Sequence, residues 1–201
     1  MKKIALFLLI VVVFVLCVAC GDKEKYLKND PERDLNEEIF DIIIPPSYMK
    51  YSGVEASELC DSFNKMGKEF IYSAEVVESG VKICVTQQQI DKIIERNNKN
   101  TKNFIESFES YNKEYCFVGT NDYSVMEFYC DEQLDNQRLF TALATISTTY
   151  GMNNILYNKS SEWDVTIRII NCHTDKVVIE GSVLNDTMTI DDKTWEKTYA
   201  N

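Results

Sequence analysis

The chain has 201 residues, with 21 lysine and arginine side chains against 32 aspartate and glutamate side chains, a formal net charge of −11 at pH 7. A surface this acidic repels phosphate groups, so the composition argues against nucleic-acid binding and against docking on anionic lipid headgroups. Hydrophobic residues make up 45% of the chain, enough to build a sizeable core.

The first 22 residues have the organisation of a secretory signal. Lys2 and Lys3 precede an unbroken apolar run from Ile4 to Cys17, and the chain turns polar at Gly21. A positive start, an apolar middle and a small residue before the cleavage point define such a signal. The sequence therefore predicts that everything after Cys20 lies outside the cytoplasm.

The end of this segment, Leu16-Cys17-Val18-Ala19-Cys20, resembles the lipobox of bacterial prolipoproteins. The resemblance implies that signal peptidase cuts between Ala19 and Cys20, and that the sulfur of Cys20 carries a diacylglyceryl group. Cys17 departs from the family, which usually has Leu at that position. Membrane lipid is then the partner of acylated Cys20, and several acyl chains give stable anchoring. We expect residues 1–19 to be the signal peptide, and residues 20–46 to be the lipidated cysteine and a polar tether.

Two alternatives to lipidation stay open. The segment from Ile4 to Cys20 reaches the lower limit of about 17 apolar residues for a bilayer span, so an uncleaved membrane helix is one alternative. An ordinary signal peptide that releases a soluble protein is the other. A small residue and a cysteine at the end of the apolar run, followed at once by a polar spacer, favour lipidation.

Residues 47–201 are predicted to form a single α+β domain. The expected architecture is an antiparallel sheet of about six to eight strands, with two to four helices packed on one face. Ahead of it, Ile39 to Ile44 is an apolar stretch that Pro45 and Pro46 restrict to an edge strand or a docking patch. The spacing of apolar residues then predicts a helix from Val54 to Met66.

A strand–strand–helix order is predicted twice. Strands over 69–77 and 81–86 are followed by a helical pattern from Gln87, whose polar middle at 96–103 predicts a kink or a break. Strands over 115–118 and 125–130 are followed by a helix over 132–150. The two interpretations are an internal duplication and a chance similarity of two amphipathic helices.

The last third of the chain is predicted to be β-structure. Residues 153–157 are read as a short strand, and residues 163–169 alternate strictly between apolar and polar, as in a half-buried strand. Turns at 173–175 and 185–186 then predict a three-stranded meander that ends at Trp195.

Five cysteines follow Cys20, and an odd number leaves at least one thiol free or paired between chains. An extracytoplasmic location permits disulfides. If the hairpin loop centres on Tyr123, Cys116 and Cys130 face each other across two strands, which makes them a candidate disulfide pair. Most of the cysteines have apolar neighbours, as expected of buried thiols.

No motif in the sequence points to catalytic chemistry. His173 is the one histidine of the chain, so a metal site with several histidines from one chain is excluded. Cys172 beside it suggests a nucleophile and its base, but neighbouring residues of a strand point to opposite faces. Acidic residues cluster at Asp131-Glu132 with Asp135, where a helix start explains them, and calcium ligation is the alternative. Similar acidic groups occur at Asp91 with Glu95 and at Asp191-Asp192.

The sequence thus favours a non-enzymatic lipoprotein, anchored to the cell membrane and facing the extracytoplasmic side. Its domain would bind a protein or another envelope partner, with no cofactor, no metal and no nucleic acid. The 11 tyrosines and Trp195 could form a recognition surface for peptide or sugar, or simply core packing. The alternatives are an envelope hydrolase with a carboxylate pair and a small solute-binding lipoprotein.

Overall fold

A computed structural model describes residues 37–200, so the predicted signal peptide, Ala19, Cys20 and most of the tether lie outside the described residues. The described chain is α+β, as predicted. No helix within it is long and apolar enough to cross a bilayer. In chain order its elements are β1 (Ile39–Ile44), α1 (Pro46–Ser52), α2 (Ala56–Met66), β2 (Ser73–Val77), β3 (Gly80–Thr86), α3 (Gln87–Glu109), β4 (Cys116–Gly119), β5 (Val125–Cys130), α4 (Asn136–Asn158), β6 (Thr166–Asn171), β7 (Val177–Ser182) and α5 (Asp192–Tyr199).

These elements group into two compact units, residues 37–96 with 159–162 and residues 97–158 with 163–200. The expectation of one sheet is wrong, because the described strands form a three-stranded sheet and a separate four-stranded sheet. The described helices also outnumber the two to four that were expected. Alternating hydrophobicity shows which strands are half-buried, but it does not name their partners.

The three-stranded sheet of the first unit has the order β1-β3-β2 and is antiparallel throughout. β1 pairs with β3 from Ile39 opposite Thr86 to Ile44 opposite Val81, so the apolar stretch before the prolines is an edge strand. β1 therefore lies inside the segment expected to be tether. The core strand β3 buries its alternate residues Val81, Ile83 and Val85 completely.

Two local features set the geometry around β3. Gly80 opens the strand with φ of 134°, and a Cβ there would lie 2.1 Å from the carbonyl oxygen of Ile44, so the position requires glycine. At the other end, the backbone N–H of Thr86 donates to Oε1 of Gln89 (2.9 Å), and the N–H of Gln89 donates to Oγ1 of Thr86 (3.3 Å). This reciprocal pair is a capping box, and it explains why α3 begins at Gln87.

The four-stranded sheet of the second unit has the order β4-β5-β6-β7. β5 and β6 run parallel, with Met126 opposite Ile167 and Phe128 opposite Ile169, so a fully antiparallel arrangement is also wrong. Parallel neighbours need a crossover connection, and α4 supplies it between these two strands. These four apolar side chains are at most 2% exposed and form one covered face of the sheet.

The opposite face of this sheet carries charge. Glu127 on β5, Arg168 on β6 and Glu180 on β7 are direct neighbours across the ladder. Arg168 donates to Glu127 (3.2 Å) and to Glu180 (2.7 Å). The alternation predicted for residues 163–169 is therefore confirmed, with apolar residues towards the core and polar residues on the other side.

The two long helices correct two predictions. Residues 153–157 were expected to form a strand, but they belong to α4, which is buried at every position from Tyr150 to Leu156. A helix that is buried on all sides loses the apolar stripe by which helices are recognised. The expected break into two helices at 96–103 is also wrong, because α3 is continuous through this stretch.

The third strand of the C-terminal meander is likewise wrong. Residues 187–191 form no strand, and α5 begins at Asp192. The Asp191 side chain accepts from the backbone N–H of Thr194 (2.9 Å), while the Asp191 N–H donates to the Thr194 hydroxyl (3.1 Å). This capping box starts a helix where alternation alone suggested extended chain.

Candidate functional site

Four polar side chains of the second unit, Glu114, Asp131, Cys172 and His173, meet at one edge of its sheet. We call them the His173 cluster. Asp131 directly follows β5, and Cys172 directly follows β6. These strands are parallel and in register, with Cys130 opposite Asn171, so their carboxyl ends bring the residues that follow side by side. The carboxyl edge of parallel strands is where ligand sites form in many α/β proteins.

The ring of His173 lies between two carboxylates. Its Nδ1 is 3.2 Å from Oε2 of Glu114, and its Nε2 is 3.4 Å from Oδ2 of Asp131. Sγ of Cys172 is 4.0 Å from the same Oε2 of Glu114. Cys172 and His173 were expected to face opposite ways, but β6 ends before them, and in the turn that follows both reach Glu114.

Asp131 is the buried member of the cluster, with only 3% of its surface exposed. Its Oδ1 accepts from the hydroxyl of Tyr115 (2.5 Å) and from the backbone N–H of Gln133 (2.9 Å). Burial and this bond to a carboxylate raise the pKa of Tyr115 well above its usual range. The sequence placed Asp131 at a helix start, but α4 begins only at Asn136, and Asp135 is the residue that accepts from a helical N–H, that of Arg138 (3.1 Å).

The cluster does not favour a cysteine nucleophile. Burial, followed by the negative charges of Asp131 and Glu114, raises the pKa of Cys172 to about 11. Nucleophilic cysteines need a lowered pKa, because the thiolate is the reactive form. In the surroundings seen here, the thiol of Cys172 stays protonated at neutral pH.

The candidate disulfide partners are not brought together. Cys116 stands opposite Tyr129 in the β4–β5 ladder, and Cys130, one residue further on, points to the other face of the sheet. Both thiols are free, as are those of Cys60, Cys84 and Cys172. Burial raises the pKa of Cys130 and of Cys116 above the ordinary value for a thiol.

A second feature of the same unit is an open groove of about 510 Å³, which we call the aromatic groove. One wall is built from three aromatic rings that pack edge to face. The distance between ring centroids is 5.5 Å for Phe117 and Tyr150, and 5.3 Å for Tyr123 and Tyr150. The other wall is the second half of α3. The lining residues are Asn98, Thr101, Lys102, Ile105, Glu106, Glu109, Phe117, Gly119, Thr120, Asn121, Tyr123 and Tyr150.

Hydrogen bonds hold the loop at the end of the aromatic groove, residues 120–124. The carboxylate of Asp122 accepts from the backbone N–H (3.2 Å) and the hydroxyl (2.8 Å) of Ser124. Hydrogen bonds from Thr120 and Ser124 lower the pKa of Asp122. Asn98 donates to the hydroxyl of Tyr123 (2.9 Å), which ties the loop to α3. The aromatic wall is thus fixed in place by its surroundings.

The aromatic residues that the sequence offered as a recognition surface divide between core and surface. Trp195 is 6% exposed and Tyr115 is 2% exposed, so both serve packing. Tyr111 and Tyr157 are more than half exposed. Sequence reasoning did not identify Glu114 or Asn98, since neither lies in a motif.

No protein-family model matches this chain, and comparisons with curated proteins and with solved structures find no significant match.

Proposed function

We propose that the chain is a lipoprotein, anchored to the extracytoplasmic side of the cell membrane through acylated Cys20, whose second unit binds a ligand or partner. The observation that carries this proposal is the Ala19-Cys20 pair at the end of the apolar run. The polar residues 21–38 supply a tether between the anchor and β1, which begins at Ile39.

The aromatic groove supports the binding half of the proposal. Aromatic faces lie beside the amides of Asn98 and Asn121, with Lys102 and Glu106 on the α3 side. Such a combination of apolar faces with a few polar groups suits a peptide or a sugar. The net charge of −11 argues against a nucleic-acid ligand.

The anchor is tested by the intact mass of the full chain extracted from the membranes of a bacterial host. We expect a mass that begins at Cys20 and includes acyl chains. Cys20→Ala should accumulate as an unprocessed precursor, while Cys116→Ala, a control cysteine outside the lipobox, is processed normally. A wild-type mass that includes residues 1–19 contradicts the proposal.

The binding half is tested by thermal shift over a panel of envelope peptides and saccharides. We expect at least one compound to raise the melting temperature, and Lys102→Ala in the aromatic groove to reduce that shift. Lys99→Ala is the matched control, because Lys99 is exposed on the same helix but does not line the groove. The absence of any shift, or a shift equal in both variants, contradicts this half of the proposal.

A further inference from the structure

We infer that the His173 cluster is a tetrahedral metal site, with Zn²⁺ as the ion that its donors fit best. The ligands are a carboxylate oxygen of Glu114, Sγ of Cys172 and Nδ1 of His173, and the fourth position is left to water. This inference does not depend on the lipid anchor or on the aromatic groove.

The distances suit such an ion. Zinc binds carboxylate oxygen, imidazole nitrogen and thiolate sulfur at about 2.0–2.3 Å, so donors at the corners of a tetrahedron stand about 3.3–3.8 Å apart. Nδ1 of His173 and Oε2 of Glu114 are 3.2 Å apart, and Sγ of Cys172 is 4.0 Å from the same oxygen. All three donor atoms lie within 4.8 Å of one another. A closer approach of Sγ of Cys172 to the other two donors would complete the coordination.

The surroundings orient the imidazole for this role. Nε2 of His173 lies 3.4 Å from Oδ2 of buried Asp131, so an ion bound at Nδ1 would leave the Nε2 N–H to donate to that carboxylate. Asp131 is itself held by Tyr115 and Gln133. A metal-binding histidine characteristically donates its other N–H to a carboxylate that is in turn hydrogen-bonded.

Two carboxylates converge on the ring of His173, so the position attracts a cation. Nδ1 of His173 and Oε2 of Glu114 face each other at 3.2 Å. Over residues 37–200, no lysine or arginine pairs with Glu114 or Asp131, and His173 contacts both carboxylates. A metal ion uses all three donors and stabilises the thiolate.

The donor set also selects the ion and its access. A thiolate with an imidazole favours zinc over calcium or magnesium, which prefer oxygen ligands only. The side chains of Glu114 and His173 are 58% and 43% exposed, so an ion can enter from solvent. Three protein ligands with an open fourth position are typical of zinc sites that keep a water.

The test is a titration of the metal-free full chain, purified in detergent, with Co²⁺ as a spectroscopic substitute for zinc. We expect one equivalent to produce the visible bands of a tetrahedral ion and a thiolate-to-cobalt charge-transfer band. Cys172→Ser should lose the charge-transfer band. His173→Ala should weaken Zn²⁺ binding at least tenfold, as measured by competition with a chromophoric chelator. Cys116→Ser, a half-buried cysteine outside the cluster, is the matched control and should keep both properties.

Asp131 is a positioning residue in this proposal, and its variant gives a different result. Asp131→Asn should weaken zinc binding about 10–100-fold while the charge-transfer band persists at saturating Co²⁺. If this buried variant does not fold, as circular dichroism would show, Cys172→Ser and His173→Ala decide the question. Absence of a tetrahedral cobalt spectrum, or a spectrum and an affinity unchanged in both of those variants, overturns the proposal.

Discussion

Asp131 illustrates how much one side chain depends on its neighbours. It is 3% exposed, and a buried carboxylate without partners would cost several kcal/mol. The Tyr115 hydroxyl, the Gln133 N–H and the ring of His173 supply those partners. The charge of Asp131 is therefore tolerated only while these groups stay in place.

Removal of the Tyr115 hydroxyl measures this dependence. We expect Tyr115→Phe to lower the free energy of unfolding by about 2 kcal/mol, because a hydrogen bond to a charged group is lost inside the protein. Urea denaturation gives the value. Tyr111→Phe is the control, because Tyr111 is 53% exposed, and its effect should stay within about 0.5 kcal/mol. Equal effects in the two variants would show that the Tyr115–Asp131 bond contributes nothing.

The sequence singled out two members of the His173 cluster, Cys172 and His173, and missed their assembly. Asp131 was noted only as one of several acidic residues, and Glu114 was not singled out. The reason is that these four residues follow or precede three different strands. They meet only because β5 and β6 are parallel neighbours, which no local pattern reveals.

Among the elements, α3 and α4 are joined in the second unit by amide side chains. Asn97 donates to Oδ1 of Asn153 (2.8 Å), and Asn153 donates to Oδ1 of Asn98 (3.0 Å). Asn153 is completely buried. The polar stretch that suggested a break in α3 is instead the part of the helix that binds its neighbour.

This amide network predicts that stability depends on Asn153. We expect Asn153→Ala to lower the free energy of unfolding by about 2–4 kcal/mol, since it leaves two amides without their partner and opens a small cavity. Chemical denaturation followed by circular dichroism provides the measurement. Asn158→Ala, at the exposed end of the same helix, should change stability little. A loss at Asn153 no larger than at Asn158 would contradict the network's importance.

Element prediction succeeded where the pattern was local. The hairpins β2–β3 and β4–β5 were predicted from short runs and the turns between them, and the structure has both. The strand–strand–helix order also occurs twice, as β2-β3-α3 and β4-β5-α4. The failures lie at 153–157 and 187–195, where complete burial and a capping box override the apparent period.

Across the whole molecule, buried tyrosines make the fold sensitive to alkali. Burial raises the pKa of Tyr48 in the first unit and of Tyr115 and Tyr150 in the second, that of Tyr150 to about 12. The unfolded chain ionises these side chains near pH 10, so between pH 10 and 12 it binds fewer protons than the folded protein. Stability is therefore complete below pH 10 and is lost as the pH rises.

Above pH 10, we expect each such tyrosine to lower the free energy of unfolding by about 1.4 kcal/mol for every unit of pH. Tyr150→Phe should reduce the slope by about that amount between pH 10 and 12. Urea denaturation at several pH values in that range checks this. Tyr157→Phe serves as the control because Tyr157 is 54% exposed. If the free energy of unfolding falls equally steeply with pH in Tyr150→Phe and in wild type, Tyr150 does not contribute to the loss of stability in alkali.

The fold class was predictable, but the division of the strands was not. The order of helical and extended patterns is sufficient to indicate α+β. Alternation such as that of residues 163–169 shows that a strand has one buried face. It does not show that β6 pairs with β5 on one side and β7 on the other, since pairing depends on long-range contacts.

The parallel pairing of β5 with β6 also has a consequence for the order of assembly. The hairpins β4–β5 and β6–β7 close short loops, whereas β5–β6 closes a loop that contains all of α4. Closing the longer loop costs more chain entropy, and contacts distant in sequence slow folding. The residues that follow β5 and β6, Asp131 and Cys172 among them, thus become neighbours only when this long-range pairing forms. We therefore expect the step that completes the sheet to be the step that creates the His173 cluster.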